Sequence, residues 1–394
     1  MRSAVLKYRP EIDGLRAIAV TLVLLQHAAF TIAGSADWSL RTYIGVDIFF
    51  VISGYLITTL LLSELRETGT INFWHFYERR ARRILPALFF VLLAFIPVAF
   101  ALLDGAQLKT FLLSVLSAVF FGSNIFFYFE SHYFVDVHFG VDRAFVEGFL
   151  HTWSLAIEEQ FYLFFPVLLI LVNRFFARFF LSIFIVLFFL SLLFSELIGA
   201  RHEDFNYLLL PSRFWELLAG AILAYVELKY GKIRRPFLNT VMPLVGLCLI
   251  GGYLLQYRAE LTHPGFATFV PVFGTVLLIA FATKEDMVGR ILGSKPFVAI
   301  GLISYSLYLW HLPVFTSLHL INPEAGNFDK LGWVILSLAL ATISYYLVER
   351  PFRNRDVIRA RPFFVSIGTS AIVIVFLSFP VDLFSITGPS LVGH

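Results

Sequence analysis

Residues 108–128 read LKTFLLSVLSAVFFGSNIFFY, and how this stretch meets a membrane decides how the rest of the chain is threaded. It is long and apolar enough to cross a bilayer core of about 30 Å. It also carries Lys109, Ser114, Ser117, Gly122, Ser123 and Asn124, groups that hydrocarbon does not solvate. Eleven further apolar segments surround it, at 14–34, 43–63, 84–104, 154–173, 179–198, 213–228, 237–256, 266–283, 298–319, 330–348 and 363–384. If all twelve cross, with the N-terminus in the cytoplasm, Lys and Arg divide 14 to 16 between the two sides. If 108–128 does not fully cross, being either re-entrant or laid on the outer side, every later loop flips and 23 of the 30 Lys and Arg fall on the cytoplasmic side. Membrane topology follows that bias, so the second threading is the expectation: ten spans to about residue 348, a basic linker, and an eleventh span.

Composition agrees. The chain has 394 residues, 59% hydrophobic and 17% aromatic with 14% charged, which no soluble domain of this size matches. Its single cysteine, Cys248, precludes an intrachain disulfide and a cysteine-based zinc site. The first apolar run ends without a small-residue cleavage site, so no cleavable signal peptide is expected. There is no phosphate-binding loop, no dinucleotide fingerprint, no G-x-S-x-G elbow and no convincing metal spacing among the ten histidines. Neither a metal nor a nucleic-acid partner is expected.

Ionisable residues inside spans cost about 2.5–3.5 kcal/mol each on insertion scales, so each calls for a reason. Arg16 and His27 lie eleven residues apart, on one helix face and about 16 Å apart along the axis. They draw a stripe from the basic surface to a buried imidazole, suited to a long carrier with an anionic head. The competing readings are a structural histidine and an arginine snorkelling to lipid phosphate. In Arg79-Arg80-Ala81-Arg82-Arg83, two i, i+3 pairs share helix faces; a forked arginine pair can grip phosphates bidentately, or simply mark the cytoplasmic side. Asp47, Glu158 and Glu159 are carboxylates that could orient a catalytic His27, or pair helices. Ser53 precedes Gly54 in mid-span, where close approach of a partner or ligand is possible. His311, at a depth like that of His27, is a second candidate catalytic residue.

Several motifs occur in an order that resembles the acyltransferase-3 membrane family. They are Tyr8 to Ala17 followed by His27, Gly45 to Tyr55, the Arg80/Arg83 pair before Pro86, His151 to Tyr162, and Ser304 to Pro313. The resemblance covers about residues 8–350. It implies an all-α polytopic fold with a ten-helix acyltransferase core plus an eleventh transmembrane helix. It also implies O-acetylation of an envelope carbohydrate, such as lipopolysaccharide O-antigen or another polysaccharide or lipid-linked glycan, with acetyl-CoA as donor. On this resemblance His27 is the catalytic histidine with Arg16 its partner; Asp47 and Glu159 are added as candidate catalytic carboxylates from their place in the spans, not from the resemblance. Arg80 and Arg83 are linked to the donor, Gly45 and Ser53 belong to the functional second-span motif, and all four are the expected donor-binding residues.

The expected division is 1–350 as the acyltransferase domain, 351–362 as a basic cytoplasmic linker, 363–384 as the eleventh helix and 385–394 as an extra-cytoplasmic tail. Some members of the family place an SGNH-type domain after such a helix, and the tail reads as the start of one. The implied setting is the bacterial inner membrane, with the N-terminus cytoplasmic and the C-terminus periplasmic. The competing class is a transporter or flippase of a carbohydrate or acyl carrier, which would more often show matched repeats with broken helices.

Overall fold

The computed structural model describes residues 8–31, 42–134, 148–233, 235–256 and 262–379. The tail at 385–394 and the last five residues of the expected 363–384 span lie outside the described residues. The helices are α1 (Pro10–Ala28), α2 (Gly45–Thr68), α3 (Phe73–Leu102), α4 (Gly105–Val119), α5 (Ser123–Phe134), α6 (Thr152–Phe175), α7 (Phe180–Gly199) and α8 (Glu203–Leu208). There follow α9 (Leu210–Tyr230), α10 (Pro236–Gln256), α11 (Phe269–Phe281), α12 (Met287–Leu292), α13 (Lys295–Ile321), α14 (Asn327–Ser344), α15 (Arg350–Arg353) and α16 (Ala360–Ser378). A π-helical turn, Tyr345–Glu349, joins α14 to α15.

Among the described residues nine helical stretches are long and apolar enough to cross a membrane. The protein is therefore an all-α polytopic membrane protein. Helix α1 is not among the nine; Glu11, Asp13 and Arg16 crowd its first two turns. Helix α11 is apolar but has only 13 residues. With these two the bundle reaches the expected ten plus one. One boundary differs. The first span was expected to run to residue 34, but α1 ends at Ala28, and Ala29 turns into the left-handed region at φ 45°. His27 therefore sits in the last turn of its helix rather than well inside a longer one.

Contacts sort the loops onto two faces. On one, Arg9 donates to the Tyr55 hydroxyl at 2.9 Å and to the Ile279 carbonyl at 2.6 Å, and Tyr55 donates to Glu227 at 2.7 Å. Arg66 reaches the Leu228 carbonyl, and Arg82 reaches the carbonyls of Phe352 and Ile358. The start of α1 thus shares a face with the ends of α2, α9 and α11 and with the starts of α3 and α16. Phe180 stacks on Tyr225 at 4.3 Å, which adds the α6–α7 turn with Arg174 and Arg178. On the opposite face Thr31 donates to Asn327 and Lys330 to the Ala29 carbonyl. There too Asp47 pairs with Arg213 at 2.8 Å. The basic loops gather on the first face, which is accordingly the basic face.

The 108–128 stretch forms most of a helical hairpin. Helix α4 starts at the end of α3, on the opposite face. Its descent stops at Phe120–Gly122, and α5 returns to set Tyr128 edge-on against Phe205, 5.7 Å away. The tip is held by Gln160, whose amide donates to the Phe121 carbonyl at 3.2 Å and to Asn124 at 2.8 Å. Gln160 is eight residues into α6, about 12 Å along that helix, so the hairpin reaches less than half of a core of about 30 Å. Phe121 lies at φ 52°, a strained conformation for an aromatic residue. The paired amides satisfy the backbone that the turn exposes at membrane depth.

Close helix approach sets the spacing of the central helices. A methyl added at Gly54 would lie 1.9 Å from the Leu217 carbonyl, and one at Gly220 would lie 2.0 Å from that of Val51, so α2 and α9 touch backbone to backbone. At Gly45 the same atom would come 2.4 Å from the Ala19 carbonyl, which fixes the start of α2 against the helix that carries His27. Gly45, expected at the donor site, thus sets a helix spacing.

Candidate functional site

Three imidazoles, from α1, from α13 and from the turn that leads into α6, form a layer near the opposite face. His311 Nε2 lies 3.2 Å from His27 Nδ1, and the ring of His151 is 5.2 Å from that of His311. His151 and His311 are buried; His27 is partly accessible. Partners that can only accept fix the protons. His311 Nδ1 lies 2.6 Å from the Tyr308 carbonyl, so it carries hydrogen and neutral Nε2 offers a lone pair. His27 Nδ1 faces that lone pair and the Val23 carbonyl at 3.0 Å, so it too carries hydrogen. The lone pair of His27 is therefore on Nε2. An imidazole so fixed can accept a proton there while His311 steadies the resulting cation.

Toward the basic face from this layer runs a cavity of about 340 Å³. Arg16, Arg79, Arg80 and Arg83 line one end, and Phe49, Ser154 and Tyr308 the other. Between them lie apolar side chains with Ser53, Glu158, Tyr162 and Ser304. His27 is not a lining residue. The Tyr308 hydroxyl donates to the His151 carbonyl at 2.6 Å and meets Ser154 Oγ at 2.7 Å. One layer of side chains thus separates the cavity from the imidazoles.

At the arginine end the pairing is loose. Arg16 is 3.5 Å from Asp13, and Arg80 is 3.6 Å from Glu159 with its guanidinium 4.2 Å over the Tyr162 ring. Arg83 has neither hydrogen bond nor ion pair among the described residues. Arg82, on the other face of α3, is held by Glu78 at 2.8 Å and by the carbonyls of the 352–358 loop. Of the two i, i+3 pairs, only Arg80 and Arg83 both face this cavity, with Arg79 at its rim.

The carboxylates expected around His27 are engaged elsewhere. Asp47 is bonded to buried Arg213, which also pairs with Glu216 at 3.0 Å and stacks over Tyr207 and Trp153. Asp47 opens α2 on the face where α9 begins, so its nearest cation is on α9. Glu159 faces Arg80, and Glu158 accepts from Ser53 at 2.8 Å and from Tyr162 at 3.1 Å. Both lie two turns into α6, on the basic side of the imidazole layer. Sequence reasoning singled out neither His151 nor Tyr308; both stand within the recognisable motifs, and Tyr308 precedes His311 by one helical turn. Among the described residues no group of three or more His, Cys, Asp or Glu is arranged to hold a metal ion.

Fold and cavity define a class: a polytopic helical bundle with an arginine-lined mouth on one face and a histidine layer toward the other. Residues 9–350 match the family described as an acyltransferase domain, and the chain belongs to this acyltransferase-3 family. It is 31% identical over 368 residues to an O-acetyltransferase OatA of Staphylococcus aureus strain NCTC 8325, covering 89% of this chain and 58% of that protein. A putative O-acetyltransferase of S. aureus strain MSSA476 is 30% identical over 416 residues, covering 99% of this chain and 66% of its own length. The chain thus spans little more than half the length of the OatA relatives it matches. No solved structure matches it.

Proposed function

We propose that the chain is a membrane O-acetyltransferase, taking acetyl from acetyl-CoA at the basic face and delivering it to a carbohydrate hydroxyl at the opposite face. The observation that carries this reading is the cavity itself: arginines at its mouth that are loosely paired or, for Arg83 among the described residues, unpaired, and, one side-chain layer beyond its far end, an imidazole with its free lone pair on Nε2. The names of the relatives support the acetyl group and the oxygen acceptor. The positive-inside bias supports a cytoplasmic basic face and N-terminus, in a bacterial inner membrane. Helix α16 then leads the chain to the periplasmic side, where an SGNH-type domain would follow. The acceptor class is an envelope polysaccharide, lipopolysaccharide O-antigen included, or a lipid-linked glycan.

In this reading Arg80 and Arg83 hold the donor phosphates, and Arg16 extends the cationic lining along α1. Tyr308 and Ser154 turn aside to admit the thioester to the imidazole layer. His27 Nε2 takes the proton of the acceptor hydroxyl as its oxygen attacks the thioester carbonyl. The C–S bond breaks, and the departing thiolate recovers the proton from His27. A positioned base of this kind is worth about 10²–10⁴ in rate. The test is release of free thiol from acetyl-CoA, and acetyl transfer to glycan, by the full chain in lipid nanodiscs. His27→Ala in a folded protein is expected to lose at least a hundredfold, in keeping with that range of about 10²–10⁴. Unchanged transfer by that variant would overturn the mechanism. Carbohydrate transport without thiol release would favour the transporter class.

A further inference from the structure

A second cavity, of about 670 Å³, opens on the basic face beside the first. Its lining is Arg79, Arg82, Arg83, Arg353, Asn354 and Arg355, and it shares Arg79 and Arg83 with the first. Three carboxylates reach these five guanidiniums. Glu64 is 3.6 Å from Arg79, Glu78 serves both Arg82 and Arg355, and Glu349 holds Arg353. The surplus is positive, and Arg83 is unpaired among the described residues. Arg82 is 2% exposed, yet its Nη2 has no hydrogen-bond partner; nor has Arg353 Nε. Five guanidiniums set against three carboxylates around one hollow favour an anion there.

We infer that this second cavity binds a phosphate monoester, the one on the ribose of the donor, separately from the diphosphate held at Arg80 and Arg83. The inference rests on the donor reading of the first cavity. Order along the ligand matches order along the protein. The thioester arm lies in the narrow, mainly apolar first cavity. The diphosphate lies at Arg80 and Arg83, the second of which lines both cavities. The nucleotide beyond it then falls on the side away from His27, where Arg79, Arg82 and Arg355 converge. A monoester carries more charge per phosphorus than a diester, which suits several guanidiniums and excludes carriers that lack it.

The experiment is binding of CoA and of dephospho-CoA to the full chain in zwitterionic nanodiscs. Arg355 is the residue to change, because it is 46% exposed and Glu78 keeps Arg82 when it is gone. The wild-type chain is expected to bind CoA about tenfold more tightly than dephospho-CoA, and Arg355→Gln to erase most of that preference by weakening CoA alone. Equal wild-type affinities, or an Arg355→Gln loss shared by both ligands, would overturn the inference. So would a preference that depends on phosphatidic acid in the disc, which would assign the cavity to a lipid phosphate. Arg83→Gln should weaken both ligands. If it weakens neither, the donor reading itself fails, and this subsite with it.

Discussion

Two arginine clusters, one near each face, are built from the same residue types to opposite ends. At the opposite face Arg213 is fully enclosed, with Asp47 at 2.8 Å, Glu216 at 3.0 Å and aromatic rings against it. At the basic face Arg16 and Arg80 have partners at 3.5 and 3.6 Å, and Arg83 has none among the described residues. A guanidinium with its carboxylates in contact has nothing left to offer a ligand, so the first cluster joins α2 to α9. One left open inside a cavity keeps its attraction for an incoming anion. Burial and charge alone do not tell the two apart; the completeness of the pairing does.

The comparison breaks most readily at Arg213. Arg213→Ala strands two buried carboxylates and is expected to cost about 3–5 kcal/mol, seen as a large fall in thermal midpoint in nanodiscs. Arg83→Met is the matched experiment: stability within about 0.5 kcal/mol of the parent, since no partner is stranded, with donor binding weakened at least tenfold. Similar stability losses for the two would erase the distinction. Arg82→Gln, which frees the carbonyls of Phe352 and Ile358, should cost about 1–3 kcal/mol and make the 350–358 segment cleavable by protease. The smallest expected effect sharpens the histidine layer. His311→Gln can still offer an acceptor to His27 Nδ1 and should lower transfer less than His311→Leu, with the pH–rate profile displaced in the leucine variant only. Equal losses and unchanged profiles would leave His311 a packing residue.

The helices, the failure of 108–128 to cross and the sorting of basic loops were legible in the sequence; that 108–128 folds back as a hairpin rather than lying on the outer side was not. Apolar length and the distribution of Lys and Arg are properties of the chain itself, and polar residues within 108–128 are costly unless protein covers them. The Arg80/Arg83 face was legible too, because i, i+3 spacing is local. What one helix shows another was not. Asp47 was expected near His27 but pairs with Arg213, 166 positions along the chain, and no local spacing announces that meeting. Glu159 was expected at the same imidazole but faces Arg80, because two helical turns separate it from His151. Nor did the sequence show that the backbone of α1 passes too close to Gly45 for any side chain there.

The α4–α5 hairpin enters and leaves by the same face, so it adds nothing to the alternation of the helices after it. It is neutral to sidedness: it can lengthen, shorten or change sequence without turning α6 through α16 over, provided its tip stays short of the far surface. It borders the histidine layer through Phe111 and Phe149, and Phe149 lies 6.1 Å from the ring of His151. A rim beside the imidazoles is thus free to vary while the arginine mouth on the other surface keeps its orientation. Related chains could diverge at that rim in what they admit from that face and still keep one arginine mouth in common on the other.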